Sequence, residues 1–91
     1  MHVAHGVQIG RRSKVVAHAM LGGNITIGEN VWIGPSAVIT NGIIIGDNAK
    51  VSLGAVVIRN IPSGCTVSGN FAIDHKQFMR FMSTTIRSLK E

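Results

Sequence analysis

Every sixth residue from Val3 to Val57 is aliphatic: Val3, Ile9, Val15, Leu21, Ile27, Ile33, Ile39, Ile45, Val51 and Val57. Two places before these lie Val7, Ala19, Ile25, Val31, Ala37, Ile43, Ala49 and Ala55, small or apolar, with Ser13 the polar exception. Gly10, Gly22, Gly28, Gly34 and Gly46 follow ladder residues directly. Helices repeat their apolar positions every three or four residues and half-buried strands every two, so neither fits a period of six. A solenoid of short parallel strands does fit. Three repeats make a triangular coil, coils stack at the strand spacing of ~4.8 Å, and one branched aliphatic per face fills the narrow interior. The glycine after each aliphatic is expected to carry the backbone through the turn between faces at positive φ.

The expected fold class is therefore all-β, a parallel β-helix of about three coils ending in an α-helix. Residues 1–73 form the β-helix domain, with coils at 3–20, 21–38 and 39–56. The period breaks at Arg59-Asn60-Ile61-Pro62-Ser63-Gly64, and Cys65 to Asn70 reads as a last strand and turn. Residues 74–91 read as an amphipathic helix, with Asp74 as N-cap and Phe78, Phe81, Met82, Ile86 and Leu89 along one stripe. That stripe either covers the open end of the solenoid or packs on a neighbouring subunit. Docking of a carrier protein on the basic face of the helix is the less favoured use.

Coil stacking turns the sequence into columns. Arg11, Glu29 and Asp47 share one, where a surface ion pair would contribute about 0–1 kcal/mol. Lys14, Trp32 and Lys50 share another, and a cation–π stack or a subunit contact would each account for the tryptophan between two cations. The net charge of +5 reflects nine Lys and Arg against four Asp and Glu. With few aromatics and no basic run, nucleic acid is not the expected partner. A phosphate-rich ligand such as coenzyme A, or an acidic carrier protein, suits a basic groove better. The single cysteine, Cys65, excludes a disulfide framework and a paired-cysteine metal site. No apolar run is long enough to cross a bilayer and no leader is visible, so a cytoplasmic location is expected. The ladder starts at once, with no polar cap before Val3, which suggests that a longer protein continues upstream of Met1. A solenoid this short is marginal as a monomer, and burial between subunits is expected.

Four histidines are the candidates for acid–base work near neutral pH. His2 is near the terminus, His18 is on the outside, and His75 at the start of the helix reads as a surface residue. His5 is preferred. It sits near a corner of the prism, in a column that continues through Gly23, Asn41 and Arg59. The glycine one coil further leaves open space and a backbone N–H, as an oxyanion site requires.

The stretch His2-Val3-Ala4-His5-Gly6-Val7-Gln8-Ile9-Gly10, the repeats to Val57, and the closing Thr66-Val67-Ser68-Gly69-Asn70 resemble the hexapeptide-repeat acyltransferases. Among them the chain is most similar to the C-terminal part of the UDP-3-O-acylglucosamine N-acyltransferases of lipid A biosynthesis and to the related sugar acetyltransferases. The resemblance implies left-handed coils, a homotrimer, and transfer of an acyl group to an amine or hydroxyl of a sugar or nucleotide sugar. Acyl-CoA or acyl carrier protein would be the co-substrate, with no tightly bound cofactor and no metal. It implies His5 as general base, Gly23 N–H as oxyanion donor, and Asn41, Gly42 and Arg59 along the donor's path between subunits. Gly42 stands where the lipid A enzymes carry a second histidine, which favours the broader sugar acyltransferase class. Two readings compete: a zinc site, which lacks a third ligand in register with His2 and His5, and a trimeric scaffold or truncated piece without chemistry.

Overall fold

The computed structural model describes residues 2–90, and the side chains of residues 3–84. Two-residue strands recur every six residues: β1 (His2–Val3), β2 (Gln8–Ile9), β3 (Lys14–Val15), β4 (Met20–Leu21), β5 (Thr26–Ile27), β6 (Trp32–Ile33), β7 (Val38–Ile39), β8 (Ile44–Ile45), β9 (Lys50–Val51) and β10 (Val56–Val57). They wind into a parallel β-solenoid with three faces. The first carries β1-β4-β7-β10 and the second β2-β5-β8. The third carries β3-β6-β9, continued by β11 (Thr66–Ser68) and β12 (Ile73–Asp74). Register is eighteen residues per coil, as in Met20 beside Val38 and Trp32 beside Lys50. The helix α1 spans His75–Lys90, so the fold is mostly β with one helix.

The ladder residues point inward and, from Leu21 on, are buried together with Ala19, Ile25, Val31, Ala37, Ile43, Ala49 and Ala55. Ser13 resolves its own exception to the pattern. Its hydroxyl donates to Gly28 O at 2.6 Å and accepts the Val31 N–H at 2.9 Å, so the polar group is satisfied on both sides. At the first coil the core lies open, with Val3 40% and Ile9 44% exposed.

The solenoid does not stop at Val57. The corner at Arg59–Asn60 is two residues shorter, and Ile61 pairs with Ile45 while Thr66 and Val67 pair with Lys50 and Val51, sixteen residues apart. Ile61 is buried, so the ladder carries on through the apparent break. Asn60 repairs the shortened turn. Its Oδ1 accepts the Ile44 N–H at 2.8 Å, the role that the Ile43 carbonyl plays for Thr26 one coil earlier.

The turn glycines differ from expectation. Positive φ falls three places after the ladder residue, at Gly6, Arg12, His18, Asn24, Asn30, Ser36, Gly42, Asn48, Gly54 and Gly64. The glycines directly after the aliphatics have no positive φ; they are required because the next coil is too close. A Cβ on Gly28 would run into Asp47, and one on Gly22 into Asn41.

Asp74 caps α1, its Oδ2 accepting the N–H of Lys76 at 3.1 Å and of Gln77 at 3.4 Å. Phe78 and Met82 are half-buried, with Phe78 against Gly69, but Phe81 remains 63% exposed. The side chains of Ile86 and Leu89 lie outside the described residues. His75 is exposed and also bonds inward. Its Nδ1 is 2.8 Å from Ser68 Oγ, which in turn lies 2.7 Å from Ser52 Oγ, tying the start of the helix to the last coils. The Arg11–Glu29–Asp47 column is held by a different bond from the expected ion pair: Asp47 Oδ1 accepts the Glu29 backbone N–H at 2.8 Å.

Candidate active site

His5 lies between β1 and Gly6, at the first corner, with its side chain in solvent. Gly6 has φ +81°, and a side chain there would meet Asn24. The next coil is tied to this corner by the Asn24 N–H donating to His5 O at 3.1 Å. Along the first face, beside the corner, runs a groove of 380 Å³ lined by Ala4, Met20, Gly22, Gly23, Thr40 and Asn41, among others. Its apolar surface comes from the outward Met20 and the half-buried Ala4 and Val38, while the ladder residues Leu21 and Ile39 beside them point into the core. The groove therefore suits a flexible, mainly apolar arm.

Of the residues selected from sequence, the structure gathers His5, Gly23, Asn41 and Gly42 at one corner. Gly23 and Asn41 line the groove, and the Gly42 N–H donates to Gly23 O at 2.9 Å. Gly42, at φ +75°, has open space where a Cβ would stand. Arg59 is elsewhere. It lines a 230 Å³ pocket with Asn60, Asp74 and Gln77 near the start of the helix.

The Gly23 N–H is not open as the sequence suggested. It donates to Asn41 Oδ1 at 2.9 Å. That bond fixes the asparagine amide at the groove wall with its Oδ1 engaged and its Nδ2 left as a donor. Sequence reading missed this bond, although an amide one coil above a glycine was a visible signal. Thr40 donates its hydroxyl to Val57 O at 3.1 Å and is held against the same wall. Among the described residues no three His, Cys, Asp or Glu side chains converge on a metal-sized site. Among the described residues no helix is long and apolar enough to cross a membrane.

The bacterial transferase hexapeptide family (six repeats) matches residues 24–59. A Saccharomyces cerevisiae protein named as a candidate acetyltransferase, YJL218W, is 41% identical over 66 residues, covering 72% of this chain and 32% of the yeast protein. Serine acetyltransferase of Neisseria gonorrhoeae, solved in complex with serine, superposes with a TM-score of 0.56 at 29% identity, over 79% of this chain and 41% of that one. Soybean serine acetyltransferase superposes with a TM-score of 0.52 at 27% identity, over 76% and 40%. The chain thus spans about a third of the yeast relative and two fifths of the solved enzymes.

Proposed function

With residues 24–59 read as a bacterial transferase hexapeptide segment, we propose that this chain forms one wall of an acetyltransferase that uses a coenzyme A thioester and a small hydroxyl or amine acceptor. The observation that carries the reading is the Gly23–Asn41 bond at the groove beside His5. The donor's pantetheine arm lies along the outward Met20 and Val38. His5 takes the proton of the acceptor as its oxygen or nitrogen attacks the thioester carbonyl. The electron pair moves to the carbonyl oxygen, and the Asn41 amide, held by Gly23, donates to the oxyanion. Collapse breaks the C–S bond, and the thiolate leaves with the proton from the His5 imidazolium. The acceptor is a small polar molecule: likeness to serine acetyltransferases supports a hydroxy amino acid, and the sequence resemblance supports a sugar. Transfer from a long-chain acyl carrier protein in lipid A synthesis is the finer alternative. A trimer, with the second wall of the groove supplied by a neighbouring subunit, completes the proposal.

Release of free thiol from acetyl-CoA, measured with L-serine and with an amino sugar, tests the reading. His5→Ala should lower kcat by roughly 10²–10⁴-fold, and Asn41→Ala by roughly 10²–10³-fold, with the fold intact by circular dichroism. Turnover that survives His5→Ala undiminished would sink the assignment. One observation favours a second reading, a β-solenoid scaffold without chemistry: Arg59 lies outside the groove. Under that reading calorimetry finds no saturable binding of acetyl-CoA.

A further inference from the structure

The helix α1 does more than close the last coil. Its 16 residues begin directly after β12, and at 1.5 Å each they span about 24 Å. The molecule is 48 Å long and only 23 × 20 Å across. Four coils stacked at about 4.8 Å reach roughly 20 Å, so the long dimension requires α1 to stand out from the solenoid. Its early turns meet the coils through Phe78 on Gly69, and its later turns reach past them.

The charges along α1 are sorted by side and by sign. The helix contains Lys76, Arg80, Arg87 and Lys90 and no Asp or Glu. At about 100° per residue these four positions fall within an arc of about 80°. Lys76 and Arg80 are exposed. Phe78, which meets the coil, lies about 160° from the centre of that arc, so the cations are on the side turned away from the solenoid. Positions 79 and 86, a methionine and an isoleucine, border the arc, and Met79 is 50% exposed. Phe71 and Ile73, in the segment that leads into α1, are exposed as well. A helix surface built for solubility alone would mix both signs in pairs one turn apart.

We propose that this outer side of α1 docks on an anionic membrane surface, with the cations among the lipid headgroups and Met79 at the acyl boundary. Charge complementarity selects the occupant. A second copy of the helix would set four cations against four with no carboxylate to pair them. A soluble acidic partner would engage the cations and leave the apolar border in water. A bilayer carrying anionic lipid uses both, because the cations are drawn to the surface potential while apolar side chains beside them enter between headgroups. The long stems of Lys and Arg let the charges stay in the polar layer as the helix settles. The contact is peripheral, and the coils remain in water.

Co-sedimentation of the full chain with vesicles tests this. Vesicles of phosphatidylcholine with about 30% phosphatidylglycerol should bind it, and phosphatidylcholine alone should not. Raising salt from about 0.1 M to 1 M, which shortens the screening length from about 10 Å to 3 Å, should release most of the bound protein. The Lys76→Ala/Arg80→Ala variant should bind at least about tenfold more weakly, and Met79→Ser about fivefold more weakly. All three residues are exposed, and circular dichroism verifies that both variants are folded. The proposal is overturned if the chain binds neither vesicle, if it binds both equally, or if the double variant binds as the parent does. Displacement from the vesicles by soluble polyglutamate at matched charge would overturn it in favour of an acidic protein. Self-association that Met79→Ser abolishes, without vesicle binding, would overturn it in favour of a second copy. Binding at α1 is read without turnover, so the outcome is separate from that of transfer at His5.

Discussion

Glycine serves two unlike purposes in this chain, and single substitutions separate them. Gly28 accepts no side chain because a Cβ would collide with Asp47, whose carboxylate also holds the Glu29 N–H. Gly54 has open space around it and is glycine because φ is +65°. Asparagine occupies the equivalent corner at Asn24, Asn30 and Asn48, and it tolerates the left-handed region better than other side chains. Gly28→Ala should therefore cost roughly 1–3 kcal/mol, whereas Gly54→Asn should stay within about 0.5 kcal/mol of the parent. Urea denaturation of the two variants measures both. Ser13→Ala belongs with the first: it strips the partner from the Val31 N–H and should cost about 1–3 kcal/mol.

The helix is attached to the solenoid by few but specific contacts. Asp74 holds the first free N–H groups of α1, His75 reaches the 3% exposed Ser68, and Phe78 lies on Gly69. Asp74→Ala should lower helix stability by about 0.5–2 kcal/mol. Hydrogen exchange is the appropriate probe. Protection of the amides early in α1 should fall while those of Ile33 and Val51, deep in the coils, stay as they were. Equal loss in both places would mean that helix and coils unfold as one unit. Met79, Phe81, Phe71 and Ile73 remain exposed beside this junction, so the helix covers the last coil without using all its own apolar surface.

At the scale of the whole molecule, 48 × 23 × 20 Å, burial is graded along the axis. Each coil is covered only by its neighbours, so the open first coil should be the least protected part of the solenoid. Ile33, fully buried mid-solenoid, should lose about 2–5 kcal/mol on substitution by alanine. Ile9, 44% exposed at the open end, should lose less than half as much. Thermal or urea unfolding of the pair measures the gradient. Equal losses would show that the first coil is covered in solution by something beyond a single chain.

The solenoid could be read from the sequence because its rule is local. A ladder residue every six places needs no knowledge of distant contacts, and the stacking columns follow by counting, which brought Lys14, Trp32 and Lys50 together, and His5 with Gly23 and Asn41. Asp74 as N-cap was legible for the same reason, since a cap bonds only to the next few residues. What escaped depended on contacts between coils. Counting by sixes made Arg59 to Gly64 look like a break in the period. The structure absorbs a two-residue shortening there, because the Asn60 side chain replaces a missing backbone acceptor and Ile61 still reaches the core. Arg59, three coils from His5, lines a different pocket. The engagement of Gly23 N–H by Asn41, and of His75 by Ser68, were choices among side-chain rotamers and competing acceptors. Periodicity alone determined the coil and its inward face; only the packed structure decided which polar groups at the corners are used up between coils and which are left to meet a ligand.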